Sequence, residues 1–489
     1  MLITKLYPNA RHLHFVTGIK SKSYNCTPGD IFVAIPGSTV DGFDYVDQAI
    51  ALGAKTIVTE RTDAFERLPN FKGNIIIVDD AKRELSRIAK RFYKKWLRGI
   101  TVIGITGTNG KTTLSTLTYQ YLRSINIGVI LIGTNGNYIN DEYYETVNTT
   151  PNILEIYSLL RKAKKDRKKI KYLIMEVSSQ AIKEMRVLGL EFNIVLLTNL
   201  GRDHLDYHKT IDDYKYSKGL LIARMKQKKN NYVILNRDSP YYRFYHQLSL
   251  ANIKTFGLYQ ADYQADIQYE SLEGTKIKLK INGVLYDLYT KLLGRFNVYN
   301  ILAIIAILDS IKLFSENVIK FFEKELHIDG RMEVYTICKR KVIIDFAHTP
   351  EGIKEVLLFL NKVKEKRLIA LIGCGGDRDQ TKRPLIGGIT TELADLVYFT
   401  EDNSRNEPTT EIINDMIKGA KSENYVVIPS RKDAIKAALG ISEVGDIIVL
   451  LGKGHEPYMI TNNVYYPYSD KEEVLSFPKE DLKNDKHNY

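Results

Sequence analysis

Short β-branched apolar runs, each followed by a glycine-rich or polar turn, recur along the chain at 31–35, 56–58, 75–78, 102–105, 129–132, 172–175 and 194–197. Stretches of helical length, such as 81–97 and 112–124, lie between several of them. Strands that alternate with helices satisfy both faces by forming parallel sheets covered on each side, so an α/β fold is expected. The pattern returns at 342–344, 368–372, 396–399 and 446–451. Between these blocks, 262–287 alternates apolar and polar residues in short pieces around Gly274 and Asn282-Gly283, which predicts a small antiparallel excursion. A chain of 489 residues suggests three domains at ~150 residues each. One boundary is expected near Gly99, after the basic stretch "KKWLRG", and another where "HIDGRME" interrupts the helical pattern, giving domains at 1–98, 99–328 and 329–489.

Hydrophobic residues at 44% and charged residues at 26% are near globular averages, which argues against disordered, collagen-like and coiled-coil chains. Lys and Arg exceed Asp and Glu, for a net charge of +12, which suits anionic ligands. The excess is spread along the chain, and its densest run, "RKAKKDRKKIK" at 161–171, reads as a solvated helix face. No aromatic–basic recognition pattern accompanies it, so no nucleic-acid partner is expected. Cys26, Cys338 and Cys374 are odd in number, far apart and without metal-type spacing, which fits a reducing cytosol. Residues 1–15 mix Lys, Arg, His and Pro among apolar residues, and no stretch approaches the ~18 uninterrupted apolar residues of a membrane span. Neither export nor membrane insertion is expected, and the polar tail 479–489 should fray.

The strongest local signal is "VIGITGTNGKTT" at 102–113. An apolar strand enters Gly107, Thr108, Asn109, Gly110, Lys111 and Thr112, with Thr113 following, and a helix begins there. Small residues at such a junction let backbone N–H groups converge on phosphate oxygens. Lys111 would reach the β- and γ-phosphates, and the Thr112 hydroxyl would coordinate Mg²⁺. The usual spacing places a Gly five residues before Gly110; Ile105 stands there, so the loop is the compact G-x-x-G-K-T form.

Three later segments narrow the chemistry. "NTTPN" places Asn148, Thr149 and Thr150 before a Pro at an expected helix start, where hydroxyls and free N–H groups could hold an anion. "MEVSSQA" puts Glu176 at the end of a buried strand, where a carboxylate is costly unless it meets a cation, a salt-bridge partner or a helix end. "TNLGRDHLDYH" gathers Asp203, His204, Asp206 and His208 after another strand, a density that favours metal binding over isolated surface groups.

These segments, followed in order by "YKYSKGLLI", "LLGRFNVYNILA", "GRMEV", "IIDFAHTPEGI", "IGCGGDRDQTKRPLIG", "EDNSRNEP" and "LLGKGHEPY", resemble the Mur ligases over about residues 21–458. Within that family the closest resemblance is to members that add diaminopimelate to a UDP-linked muramyl dipeptide during peptidoglycan synthesis. The resemblance implies three domains: one for the UDP end of the substrate, a central P-loop-type ATPase domain with a parallel sheet, and a Rossmann-like C-terminal domain for the amino acid. It implies that ATP phosphorylates the terminal carboxylate of UDP-N-acetylmuramoyl-L-alanyl-D-glutamate and that the amine of meso-diaminopimelate attacks the acyl phosphate. A monomer acting in the cytoplasm is expected, with L-lysine as the alternative amino acid. A reading from a different class is a basic P-loop ATPase acting on nucleic acid.

The same resemblance assigns Lys111, Glu176, His204 and Lys218 to catalysis, with Thr112, Glu176, His204 and a carbamylated Lys218 at the Mg²⁺ sites. Nucleotide contacts carry over to Asn297, Asn300, Arg331, Asp345 and His348. The UDP substrate would meet Ser23, Ser38, Thr39, Val40, Asn148, Thr149, Thr150, Ser178, Glu184 and Arg186. The amino acid would meet Arg378, Asp402, Asn403, Ser404, Arg405, Gly452 and Glu456. Diaminopimelate differs from lysine by a distal carboxylate, the natural partner of Arg405, while Glu456 suits the distal amine. Several positions depart from the family pattern: "SKS" followed by Tyr24 where the family has D-S-R, Asn152 for Asp, Gln180 for His, Glu184 for Gln, and Ser404 for a Pro whose loss should relax the turn around Arg405.

Overall fold

The computed structural model describes residues 1–37 and 40–478. Ser38, Thr39 and the tail expected to fray therefore lie outside the described residues. The chain divides into two compact units, one made of Met1–Thr106, Leu122–Val195 and Ser217–Asn231, the other of Gly107–Tyr121, Leu196–Tyr216 and the chain from Tyr232 onward.

In the first unit, Ile19–Lys20, Ile31–Val33, Thr56–Thr59 and Asn74–Ile77 form a parallel sheet in that order. Ile31, Phe32, Val33, Ile57 and Val58 are buried in it, as their continuous apolar runs require. The helix Ala81–Tyr93 starts at Asp80, whose side chain accepts from the Arg83 N–H, and buries Leu85, Ile88 and Ala89 on one face. It gives way to a 3₁₀ turn at Lys94–Leu97, four residues before the end expected from the pattern. A second set of strands places Thr101–Thr106 beside Tyr172–Glu176 and that strand beside Val129–Gly133, all parallel. Gly136–Ile139 and Glu142–Tyr144 then add antiparallel strands that the apolar pattern did not reveal.

The second unit holds the antiparallel excursion. Tyr263–Glu270, Thr275–Ile281 and Val284–Thr290 pair in sequence, and Thr275–Ile281 alternates strictly between buried and exposed residues. Its turn needs positive φ at both central residues, and Asn282 (φ 50°) and Gly283 (φ 84°) supply it. The helix Arg295–Ser310 is apolar nearly all round and is buried accordingly.

The C-terminal sheet runs Glu333–Ile337, Arg340–Asp345, Ile447–Leu451, Leu368–Ile372, Leu396–Phe399 and Tyr425–Val427, parallel except for its first strand. Helices Pro350–Val363 and Arg383–Leu393 cover one face, and Arg431–Ile441 covers the other. Register aligns Asp345, Leu451 and Ile372, and Ile372 pairs with Phe399. The loops that follow these four strands therefore leave the sheet along one edge, where open α/β sheets bind ligands. Among the described residues no helix is long and apolar enough to cross a membrane.

Candidate active site

The strand Thr101–Thr106 feeds the glycine loop, and the helix Lys111–Ser124 starts at Lys111, as its sequence predicts. Gly107 sits at φ 142° with a position for Cβ only 1.8 Å from Thr198 Oγ1, so no side chain fits without moving the neighbouring loop. Gly110, at φ 87°, would bring a Cβ to 2.9 Å from Asn300 Oδ1. Backbone and side chains of 198–201 brace the cradle. The Thr198 hydroxyl donates to Asn109 O (2.7 Å), Asn109 N–H to Asn199 Oδ1 (3.0 Å), and Gly201 N–H to Thr108 Oγ1 (2.9 Å). Lys111 Nζ folds back to donate to Gly107 O (2.9 Å) and Thr108 O (2.8 Å). Thr112 and Thr113 are buried at the helix start.

Other expected nucleotide residues belong to the same unit. Asn300 Nδ2 donates to Asn297 Oδ1 (2.9 Å), and Asn297 Nδ2 donates to Leu293 O (2.8 Å), which fixes both amides on one helix face. The Arg331 guanidinium lies over the Phe346 ring, 4.5 Å from its centroid. Asp345 accepts from Met332 N–H and Ala347 N–H, both at 2.8 Å. Burial raises its pKa against the opposing pull of Arg331 and these two N–H groups. Burial also pushes His348 down to about 4, leaving a neutral imidazole near neutral pH. Asn109 Nδ2 donates to Thr349 Oγ1 (3.1 Å), and that hydroxyl caps the helix Pro350–Val363.

The titratable run 203–208 divides among several ion pairs. Asp203 Oδ2 lies 3.3 Å from His204 Nε2 and 3.9 Å from His348 Nε2. Burial alone would raise Asp203, but His204, His348, Lys382 and Lys111 outweigh it and hold the carboxyl well below its usual range. Asp206 lies 3.7 Å from Arg378, and the buried His208 pairs with Asp213 at 3.3 Å. In this segment Asp203 and His204 therefore face each other, while Asp206 and His208 pair with Arg378 and Asp213. Among the described residues no group of three or more His, Cys, Asp or Glu is arranged to hold a metal ion.

In the first unit, Glu176 is 1% exposed and accepts from Thr134 N–H (3.1 Å) and the Thr134 hydroxyl (3.0 Å). Gly133 makes room for it, since a Cβ there would come within 2.4 Å of Glu176 Oε1. The helix start expected at Thr149-Thr150-Pro151 falls later. Asn152 caps Ile153–Lys165 and forms a capping box with Glu155, so the threonine hydroxyls are turned to other work. Thr149 Oγ1 meets Thr134 Oγ1 at 3.1 Å, and Thr150 Oγ1 donates to Glu176 O (2.9 Å) and accepts from Ser178 N–H (3.0 Å). Arg186 Nε donates to Glu184 Oε2 (2.8 Å) and its Nη1 to Thr150 O (3.2 Å). Burial opposes ionisation of Glu184, yet hydrogen bonds from Gln180 and Arg186 prevail and lower its pKa. Thr150, Ser178, Glu184 and Arg186 thus form one network, with Gln180 and Glu184, two departures from the family pattern, bonded to each other at 2.9 Å.

Ser23 is buried and donates to Gln48 Oε1 (2.6 Å), whereas Val40 is exposed and Asn148 precedes the network above. Lys218, on the helix Ile211–Ala223, is 1% exposed, which excludes an ordinary surface lysine.

The residues expected to meet the amino acid lie at the common edge of the C-terminal sheet. Asp402, Asn403 and Ser404 are buried, and Arg405 takes φ 51°. Arg405 Nη1 donates to Gly376 O (2.8 Å) and Asn403 O (3.2 Å). Burial lowers the Arg405 pKa, and Arg378 adds to the effect. The turn that lacks the family's Pro is held by the hairpin Tyr458–Thr461/Val464–Pro467: Arg405 N–H donates to Ile460 O (3.0 Å), and Asn462 N–H donates to Arg405 O (2.6 Å). Gly452, at φ 97°, leaves room for Asp402 Oδ2, 3.0 Å from where a Cβ would stand.

Sequence reasoning passed over Thr134, Thr198, Asn199, Thr349 and Lys453. Lys453 is fully buried between Gly452 and Glu456, and a lone charged residue inside the glycine run "GKG" was the signal available for it.

Residues 15–93 match the Mur ligase family catalytic domain, 105–308 the Mur ligase middle domain, and 330–454 the Mur ligase glutamate ligase domain. The chain is 34% identical over 476 residues to a UDP-N-acetylmuramoyl-L-alanyl-D-glutamate–2,6-diaminopimelate ligase of Geobacillus thermodenitrificans, covering 95% of each. A counterpart of the same name from Fusobacterium nucleatum is 37% identical, over 93% of this chain and 92% of its own. A solved structure of a ligase of that name superposes with TM-score 0.70 at 28% identity and covers 100% of both chains. The MurF ligase of Thermotoga maritima in complex with ADP shares the fold, with TM-score 0.63 at 20% identity over 96% of this chain and 98% of its own. With a braced phosphate cradle on an α/β fold and matches of this extent, the chain belongs to the Mur ligase family of ATP-dependent, amide-forming enzymes.

Proposed function

We propose that this enzyme adds meso-diaminopimelate to UDP-N-acetylmuramoyl-L-alanyl-D-glutamate, releasing ADP and phosphate, as a step of peptidoglycan synthesis. The observation that carries the reading is the pairing of a lysine-tipped phosphate cradle with the Arg405–Glu456 pocket in a chain 34% identical to a ligase of that name. Functional domains are assigned to 1–98 for the UDP end, 99–328 for ATP and 329–489 for the amino acid.

Joining a carboxylate to a γ-phosphoryl group brings several negative charges together, so positioning and cations carry the catalysis. Backbone N–H groups of 107–113 hold the nucleotide phosphates, and Lys111 leaves Gly107 O and Thr108 O to meet the β- and γ-oxygens. Asn297, Asn300, Arg331, Asp345 and His348 complete the nucleotide site. Ser23, Ser38, Thr39, Val40, Asn148, Thr149, Thr150, Ser178, Glu184 and Arg186 hold the UDP-linked substrate.

By the resemblance, magnesium falls to Thr112, Glu176, His204 and Lys218; the Thr112 hydroxyl and the Glu176 carboxylate, each buried in its own unit, are hard oxygen donors of the kind that ion prefers. When bound, magnesium neutralises charge on the transferring phosphoryl group. Carbamylation of Lys218 turns a buried cation into a carboxylate-like ligand. Depleting CO₂ should slow turnover and bicarbonate should restore it; unchanged turnover would count against the carbamate. Arg378, Asp402, Asn403, Ser404, Gly452 and Glu456 shape the amino-acid pocket, and Arg405 selects the distal carboxylate that lysine lacks. We also infer a cytoplasmic monomer without nucleic-acid or membrane partners.

The test is phosphate release with the UDP-dipeptide, comparing meso-diaminopimelate, L-lysine and L-ornithine. Release with diaminopimelate alone is expected. Equal use of lysine would overturn the selectivity, and no release with any amine would overturn the function.

A further inference from the structure

We propose that Lys453 is a positioning residue for the diamino acid: its buried ammonium locks Glu456 and Asn403 into the arrangement that receives the substrate's distal amine. The inference rests on the acceptor-site reading above.

Lys453 directly follows Gly452 at the end of the strand Ile447–Leu451, and its side chain is 0% exposed. Its Nζ donates to Asn403 Oδ1 and to Glu456 Oε2, both at 2.8 Å, and lies 3.8 Å from Asp402 Oδ1. The Tyr458 ring closes another side, its centroid 5.3 Å away. Desolvating an ammonium is unfavourable unless partners surround it, as they do here. Enclosed this way, Lys453 acts on a substrate only through the groups it holds.

Those groups are fixed in a definite sense. Asn403 Oδ1 also accepts from Ile460 N–H at 2.9 Å, so two donors set the orientation of its amide. Its Nδ2 must then face Glu456 and donates to Oε2 at 2.9 Å. Glu456 Oε2 receives two hydrogen bonds, while among the described residues Oε1 receives none. The Glu456 side chain keeps 21% exposure. A carboxylate held at one oxygen, with the other left to accept, suits one incoming ammonium.

Charge alone makes the opposite prediction, which is what renders the idea testable. Asp402 and Glu456 carry two negative charges against one on Lys453, so deleting the lysine makes the pocket more negative and should favour a cationic amine. Positioning predicts the reverse: with no cation between them the two carboxylates repel, Glu456 turns to solvent, and Asn403 loses the donor that orients it.

The experiment measures phosphate release by the full chain and by Lys453→Met, Lys453→Arg, Glu456→Gln and the Lys453→Met/Glu456→Gln double variant. Lys453→Met should raise KM for diaminopimelate by about 10- to 100-fold and leave KM for ATP within about twofold. Lys453→Arg, which keeps the charge, should recover part of that loss. In the Glu456→Gln background, Lys453→Met should add less than about threefold, because its route to the substrate is already gone. An unchanged or lowered KM for the diamino acid, or the same fold-change in both backgrounds, overturns the proposal. ADP binding by each variant checks folding, and if Lys453→Met does not fold, Asn403→Ala must raise the same KM. Should the unmutated chain prefer lysine, KM is read for lysine, whose distal amine meets the same carboxylate. No turnover with any amine would sink the functional reading itself, and this inference with it.

Discussion

The glycine loop and the 402–405/452–456 cluster, proposed above as phosphate cradle and acceptor pocket, are built in opposite ways. In the cradle, consecutive residues 107–113 present backbone, and glycines at φ 142° and 87° are required because Thr198 and Asn300 occupy the space a side chain would need. In the pocket, the working pairs are far apart in sequence, Lys453 and Asn403 by 50 positions, and side-chain identity carries the chemistry. A backbone site reads phosphate, which every substrate pair shares, whereas a side-chain site can be retuned one residue at a time. Damage to the first should be indifferent to the amine; damage to the second should depend on it.

That contrast breaks most sharply at Lys111. Lys111→Ala should cut turnover by about a thousandfold with any amine while KM for diaminopimelate stays put. A variant that kept near-normal turnover would show that the cradle's cation is dispensable. Gly107→Ala should weaken ADP binding by about a hundredfold in a calorimetric titration, since a strained φ and a clash with Thr198 fall on the brace itself. Arg405→Ala should lower kcat/KM for diaminopimelate by about 10- to 100-fold and leave ADP affinity intact, so a matching loss of ADP binding would erase the distinction between the two regions. The smallest effect is expected from Thr349→Ala, which removes a helix cap and the partner of Asn109. It should cost ~1 kcal/mol in denaturant unfolding and only a few-fold in turnover.

The same contrast explains what could be read from the chain alone. The cradle was legible because its glycines, lysine and flanking strand and helix are contiguous. The antiparallel excursion was legible for a similar reason: Asn282-Gly283 announces a turn, and Thr275–Ile281 alternates strictly. The hairpin Tyr458–Thr461/Val464–Pro467 uses the weaker turn pair Asn462-Asn463, both at positive φ, and went unseen. Thr149 and Thr150 were misplaced at a helix start because the pattern does not say which polar residue wins the cap; Asn152, backed by Glu155, does. Asp203, His204, Asp206 and His208 favoured metal binding by density alone; their pairings, Asp203 with His204 at φ 55°, Asp206 with Arg378 and His208 with Asp213, could not be read from spacing. Lys453 escaped because no spacing rule links a lysine to an asparagine on another strand end.

The bond from Asn109 to Thr349 ties the nucleotide loop to the first turn of a helix that begins 240 positions further along the chain. On the nucleotide-site reading proposed above, whatever displaces Asn109 also unseats the hydroxyl that caps Pro350–Val363, so loop and helix answer to one joint.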